Sequence, residues 1–73
     1  MQYYIFLNDN NIKTYYYITD QKLYEYSSVL GKWFERVSIP AVTAYFIHSI
    51  RTRGRSITKL DLAIAGIPLN NLA

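Results

Sequence analysis

The chain has 73 residues and a formal net charge of +3, and 51% of its residues are hydrophobic. A chain of this length forms one domain, so we predict a single domain over residues 1–73. The chain has no cysteine and one histidine, which excludes disulfide bonds, thiolate metal sites and a histidine-rich metal site.

The N-terminal half of the chain predicts four strands. Short runs rich in tyrosine, isoleucine and threonine alternate with turn-forming residues, which is typical of strands in an antiparallel meander. Residues 8–11 are all asparagine or aspartate, which tolerate left-handed backbone angles, so they form the clearest turn. The predicted strands cover residues 2–7, 12–19, 23–27 and 32–37.

A first helix is predicted over about residues 39–53. Ser38 is its expected N-cap, Pro40 suits its first turn, and Gly54 is its expected terminator. Apolar residues at three- and four-residue spacing predict its buried stripe. That stripe contains Val42, Tyr45, Phe46 and Ile50, with Ile47 beside them.

A second helix is predicted over about residues 57–65. Ser56 is its expected N-cap, Gly66 ends it, and Pro68 prevents its continuation. Its predicted buried stripe contains Ile57, Leu60, Ala63 and Ile64.

The predicted fold class is therefore α+β. A four-stranded antiparallel sheet over about residues 2–37 is followed by a two-helix hairpin that packs on one face of the sheet. Such a two-layer domain leaves the other sheet face open.

Tyrosines line one face of two neighbouring predicted strands. Tyr15 and Tyr17 share a face with Lys13, and Tyr24 and Tyr26 share a face of the next strand. Exposed aromatic rings beside lysine can stack on single-stranded bases, and they can also form a protein interface. Cross-strand pairing that stabilises the sheet is the third interpretation. An open aromatic face on so small a chain also favours a homodimer.

The net charge comes from one short segment. Residues 1–38 carry four basic and four acidic side chains, whereas residues 39–73 carry four basic side chains and Asp61 alone. We call residues 51–59 the basic segment. Its candidate anion-binding residues are Arg51, Arg53, Arg55, Lys59 and Ser56.

The predicted position of the basic segment, between two helices, favours anion binding. Arginine binds phosphate bidentately, and the backbone N–H groups at the start of the second helix, near Ser56 and Thr58, also favour an anion. A nucleic acid or an acidic protein surface would satisfy this chemistry. A solvated turn that complements the end of the first helix is the simplest alternative.

Residues 56–69 locally resemble the first half of a helix-turn-helix unit, in which a Leu-Ala pair precedes a glycine turn and a hydrophobic residue. Here Ala63 stands three residues before Gly66, one fewer than the usual spacing. In a second version, the helix from Ile57 is the recognition helix and the basic segment lies at its DNA-facing end. That version requires a turn of three to four residues at 53–56.

Catalysis has little support in the sequence. The acidic residues are scattered, and His48, the one good candidate base, falls on the helix side opposite Val42 and Phe46. No nucleotide-binding loop or metal-ligand spacing is present, so we expect no enzymatic activity, no cofactor and no metal.

The sequence also indicates a location. The longest apolar-rich stretch, residues 39–50, is shorter than the ~20 residues that a membrane span needs. No signal peptide is visible at the N-terminus, so we expect a cytoplasmic protein without a membrane partner.

Two functions fit these features. The first is a small basic nucleic-acid-binding protein, with a regulatory role, that uses the arginine-rich turn between the helices. The second is a non-enzymatic protein-interaction module, such as a small inhibitor or adaptor of a phage or mobile element, that docks a partner through the tyrosine-rich sheet face.

Overall fold

The computed structural model describes residues 2–69. In that range the chain is α+β, as predicted, with five strands and two helices. The strands form one antiparallel sheet in the order β4-β3-β2-β1-β5. The elements in chain order are β1 (Gln2–Leu7), β2 (Lys13–Thr19), β3 (Lys22–Ser27), β4 (Lys32–Glu35), α1 (Pro40–Arg53), β5 (Arg55–Ile57) and α2 (Lys59–Ile64).

The first two hairpin turns follow from their sequences. Asn8 accepts hydrogen bonds at Oδ1 from the N–H groups of Asn10 and Ile12, at 2.9 and 3.0 Å, which closes the β1–β2 turn. Asp20 and Gln21 have φ values of 47° and 61°, as a two-residue hairpin turn with both central residues left-handed requires. These turns fix the strand register, and the register decides which side chains share a face.

The sheet has two buried faces with different composition. Tyr3, Tyr17 and Trp33 lie on one face, which we call the tyrosine face, and they pack against Leu62 of α2 and Ile67 beyond it. Trp33 also donates a hydrogen bond from Nε1 to the carbonyl oxygen of Pro68, at 2.8 Å. This bond holds the segment after α2 against the sheet.

The opposite face of the sheet packs against α1. Tyr4, Ile18 and Leu23 form a second core cluster with Ile47 and Ile50 of the helix. The two helices therefore lie on opposite faces of the sheet, and the domain has three layers.

The predicted helical hairpin on one face is wrong because a strand separates the two helices. β5 pairs with β1 in antiparallel register, with Ser56 opposite Tyr4 and Ile57 opposite Tyr3. The chain therefore crosses at this edge strand from the face that α1 covers to the face that α2 covers. The prediction of four strands was one short for the same reason.

The helix ends differ from prediction at both N-caps. Ile39, not Ser38, is the N-cap of α1 and makes no side-chain capping bond. Thr58, not Ser56, caps α2, so Ser56 remains in the strand. Gly66 ends the second helix as expected, with a φ of 77°. In the left-handed Schellman arrangement the N–H of the next residue, Ile67, bonds the carbonyl of Leu62 at 2.9 Å.

The predicted buried stripe of α1 is correct for Ile50 and Ile47 but too broad, and the predicted stripe of α2 is wrong. In α1 the buried residues are Ile47 and Ile50, whereas Val42, Tyr45 and Phe46 are exposed. In α2 the one buried residue is Leu62, and the predicted stripe residues Leu60, Ala63 and Ile64 are exposed. Ile57 is half-buried in β5.

A buried hydroxyl gives the first testable prediction. Tyr17 is fully buried, and within residues 2–69 its Oη has no hydrogen-bond partner. Burial, with a contribution from nearby Tyr24, raises the pKa of Tyr17, so the hydroxyl stays neutral. Because an unpaired buried hydroxyl costs free energy, we expect Tyr17→Phe to raise the free energy of unfolding by about 1 kcal/mol in urea denaturation.

Tyr4 supplies the matched control for that substitution. Its hydroxyl donates a hydrogen bond to Oε1 of Gln2 at 3.2 Å, so Tyr4→Phe loses a bond and should lower the stability slightly. Equal destabilisation by the two substitutions would show that the Tyr17 hydroxyl has a partner in solution.

Candidate nucleic-acid interface

Arg51 lies in the last turn of α1 and contacts the start of the sheet. Its Nε and Nη2 donate hydrogen bonds to Oε1 of Gln2, at 3.2 and 3.1 Å. Because the amide oxygen of Gln2 is neutral, this contact orients the guanidinium without neutralising it. Arg51 therefore presents its positive charge where α1 meets β1.

Arg53 and Arg55 flank the junction between α1 and β5. Both are exposed, and Gly54 lies between them. Gly54 has an ordinary φ of −78°, but a Cβ atom built there would lie 2.5 Å from the carbonyl oxygen of Ile50 and 3.1 Å from that of Ile5. Glycine is therefore required chiefly by the carbonyl of Ile50 in the last turn of α1, and the close approach to Ile5 brings this junction beside β1. The junction places both arginines next to the edge of the sheet.

Ser56 and Lys59 continue the same edge. Ser56 is exposed in β5, and Lys59 is the exposed first residue of α2. In the described range no further strand pairs with the outer side of β5. Arg53, Arg55, Ser56 and Lys59 thus follow one another along one edge of the sheet, which we call the basic edge. Arg51 lies beside this edge, on α1, where it bonds Gln2 of β1.

The start of α2 is not an open anion site, contrary to the prediction from the sequence. The carboxylate of Asp61 accepts hydrogen bonds from the backbone N–H and Oγ1 of Thr58, at 2.8 and 3.0 Å. These bonds lower the pKa of the Asp61 carboxyl, and nearby Arg55 lowers it further. An anion at the basic edge therefore gains no binding from the start of α2.

The cations of the basic edge carry charges that no acid pairs. Within residues 2–69 the one ion pair joins Arg36 to Glu25, elsewhere on the sheet. Asp61 lies near Arg55 without forming an ion pair in the described range, and its carboxylate is bonded to Thr58. An unpaired row of arginine and lysine attracts phosphate groups.

The tyrosines predicted to be a stacking surface divide into two groups. Tyr17 lies in the core and cannot contact a ligand, and Tyr24 packs against it with ring centroids 4.7 Å apart. Lys13, Tyr15 and Tyr26 instead line a cleft of about 260 Å³ together with Gly66 and other residues of the turn after α2. The expectation of a wholly open tyrosine face is wrong because α2 and the segment after it cover its centre.

The register connects this cleft to the basic edge. Ile5 pairs with Tyr15 on one side and with Arg55 on the other, so the three side chains form one row on the tyrosine face. With strands ~4.8 Å apart, the backbones of Arg55 and Tyr15 are roughly 10 Å apart. A short run of nucleotides is long enough to span that distance.

His48 lies in a separate cleft that the sequence did not reveal. It is exposed and lines a cleft of about 480 Å³ with Arg51, Lys22 and Glu35. Its residues come from β3, β4 and α1, so only the non-local pairing of these elements brings them together. In the described part of the chain, no three metal-ligating side chains form a cluster.

Neither version of the helix-turn-helix resemblance matches the structure. Residues 53–56 form the end of α1 and an edge strand and not a turn between packed helices. α2 has six residues, and Ile67 to Leu69 after it are not helical. The remaining residues of that segment, 70–73, lie outside the described residues.

Comparison of the chain with protein-family models, with curated proteins and with solved structures finds no match in any of the three. Within residues 2–69, neither helix is long and apolar enough to cross a bilayer. A function must therefore be inferred from the chemistry of the exposed residues.

Proposed function

We propose that this chain is a small nucleic-acid-binding protein whose basic edge contacts the phosphate backbone. The observation that carries the proposal is the group of exposed cations at and beside one edge of the sheet, none of which forms an ion pair within residues 2–69. They are Arg51, Arg53, Arg55 and Lys59. About four phosphate contacts imply modest affinity that falls steeply with salt.

The cleft beside that edge favours single-stranded nucleic acid. Tyr15 and Tyr26 are half-buried there, with Lys13 at the rim, so part of each ring remains accessible. A base stacked on an aromatic side chain gains ~1–3 kcal/mol and requires no particular sequence. A single strand would then place its phosphates at the basic edge and one base against Tyr15 in the cleft.

The test is a binding titration with a single-stranded oligonucleotide over a range of salt concentrations. Arg53→Ala/Arg55→Ala removes two guanidinium groups that make no hydrogen bond within residues 2–69, whereas Arg51 is left intact because its guanidinium bonds Gln2. We expect binding to weaken at least about tenfold at low salt, and the slope of log K against log salt to fall by about 1.4, because two phosphate contacts are lost.

The control removes the same charge from elsewhere on the sheet. Lys22→Ala/Lys32→Ala changes the net charge equally, but these lysines begin β3 and β4, away from β5. This variant should keep the wild-type salt slope. Equal loss in the two double variants would mean that net charge alone drives binding, and unchanged binding by the arginine variant would refute the proposal.

A second arm of the same titration tests the cleft. Tyr15→Ala should weaken binding to the single strand about tenfold and leave duplex binding nearly unchanged, while Tyr15→Phe keeps the ring and the affinity. The alternative function, docking of a protein partner on the tyrosine face, has less support because α2 covers Tyr17 and its neighbours.

A further inference from the structure

The half of the sheet that α1 leaves uncovered carries exposed aromatic side chains. Phe6 and Tyr16 form a floor on the sheet, and Tyr45 and Phe46 of α1 form a wall around a cleft of about 230 Å³. The rings of Tyr45 and Phe46 lie 6.0 Å apart, and Phe34 is exposed on the same sheet face. We call this surface the aromatic groove. It is separate from the basic edge.

The size of the sheet shows why the groove exists. Five strands ~4.8 Å apart span roughly 20 Å between the outer strands, whereas one helix with its side chains is ~10–12 Å wide. α1 therefore covers about half of its sheet face. The uncovered half has the width of one further helix.

The groove and the outer side of α1 have no net charge. Residues 40–50 contain no aspartate, glutamate, lysine or arginine. The charged residues at the groove, Arg36 and Glu25, neutralise each other in an ion pair. A nucleic acid or a strongly charged protein finds no complementary charge here, whereas a second copy of this chain meets no repulsion.

The exposed apolar area fits a small homodimer. With ~200 Å² per aromatic side chain, the exposed fractions of Tyr45 (67%), Phe46 (41%) and Phe34 (37%) give roughly 300 Å². Val42 and the partly exposed Phe6 and Tyr16 raise this to about 400 Å². A standard interface buries ~800 Å² per partner, of which a little over half is apolar, so the groove supplies about the required area.

We propose that the aromatic groove is the interface of a two-fold symmetric homodimer, in which α1 of a second copy lies in the groove. Each copy then places its Tyr45 and Phe46 over the partner's sheet floor, and two helices cover each sheet face. This isologous arrangement closes on itself and leaves both basic edges exposed. The proposal does not depend on nucleic-acid binding.

Sedimentation equilibrium of the full chain tests this. We expect the wild-type mass to approach twice the 8.6 kDa of the chain at micromolar concentrations. Tyr45→Glu places a charge in the groove on an exposed side chain, so the monomer should fold normally. Because each two-fold interface contains the substitution twice, we expect the dimer dissociation constant to rise about 100-fold or more.

Ile64→Glu is the matched control. Ile64 is as exposed as Tyr45 but lies on α2, across the sheet from the groove, so this variant should keep the wild-type mass. Phe34→Glu, on the sheet floor, should dissociate the dimer as Tyr45→Glu does. Far-ultraviolet circular dichroism establishes that each variant is folded.

Four outcomes would overturn the proposal. The wild type could remain monomeric up to the highest concentration, the dimer could persist in Tyr45→Glu and Phe34→Glu, or Ile64→Glu could dissociate it equally. A mass that grows beyond the dimer would also contradict a closed two-fold interface.

Discussion

Replacement of Leu62 by alanine is expected to lower the free energy of unfolding by about 3 kcal/mol, because a fully buried leucine loses its contacts and leaves a cavity. Leu62 is the one buried residue of α2 and packs in the core cluster that contains Tyr3, Tyr17 and Trp33. For a domain of this length the loss is a large share of the total stability. Equilibrium urea denaturation at fixed protein concentration measures it.

Leu60→Ala is the control on the same helix. Leu60 is 69% exposed, so its truncation removes the same atoms without forming a cavity. We expect its stability to stay within about 0.5 kcal/mol of the wild type. If Leu60→Ala cost as much as Leu62→Ala, α2 would pack on the sheet through a different side from the one described.

Most of the sheet could be predicted because its signals are local. The predicted strand at residues 2–7 agrees with β1, and the next three differ from β2, β3 and β4 by one or two residues at an end. Turn chemistry at Asn8 and at Asp20-Gln21 lies within a few residues of sequence, where backbone preferences act directly. The alternation of Tyr15, Tyr16 and Tyr17 between the two faces followed from the strand period.

β5 could not be predicted because its stabilising contacts are distant in sequence. It has three residues, too few to show an alternation of polar and apolar side chains. Its partner, β1, lies at the other end of the chain, and pairing depends on how Gly54 ends α1. The same sequence, read locally, resembles a turn with a serine cap.

The stripe of α1 was predicted too broadly because apolar residues surround the helix on more than one side. Val42, Tyr45 and Phe46 follow helical spacing as well as Ile47 and Ile50 do, so periodicity alone cannot choose between them. The signal for the aromatic groove was available in the absence of charge over residues 40–50. A helix without a polar side has more than one packing surface.

If both proposals hold, dimerisation would raise the affinity of the small basic edge for nucleic acid. A two-fold dimer carries two edges, so the number of phosphate contacts doubles without any added residue. When both sites engage one strand, the second contact is intramolecular and the apparent affinity rises. Tyr45→Glu should then weaken binding to a long oligonucleotide more than binding to one that fills a single site.

Gly54→Ala is expected to destabilise the fold by about 3 kcal/mol or more, the upper part of the range for overpacking. The new Cβ would lie 2.5 Å from the carbonyl oxygen of Ile50, and this backbone atom cannot move aside as a flexible side chain could. Relief requires residue 54 to move away from the last turn of α1, which displaces the start of β5 and shifts Arg55 from the row with Ile5 and Tyr15. Oligonucleotide binding should therefore fall with stability, although every cation is retained.

Variants of Gly31 test whether steric contact or backbone conformation causes the loss of stability at Gly54. Gly31 has a φ of 67° and open space around its Cβ position, whereas Gly54 has an ordinary φ and no space. Gly31→Ala should cost only about 1 kcal/mol for its left-handed backbone, and Gly31→Asn less, since asparagine tolerates that region. Gly54→Asn should be as damaging as Gly54→Ala. If urea denaturation ranked the Gly31 variants as the less stable pair, the close packing around Gly54, against Ile50 and Ile5, would not be what fixes the junction of α1 and β5.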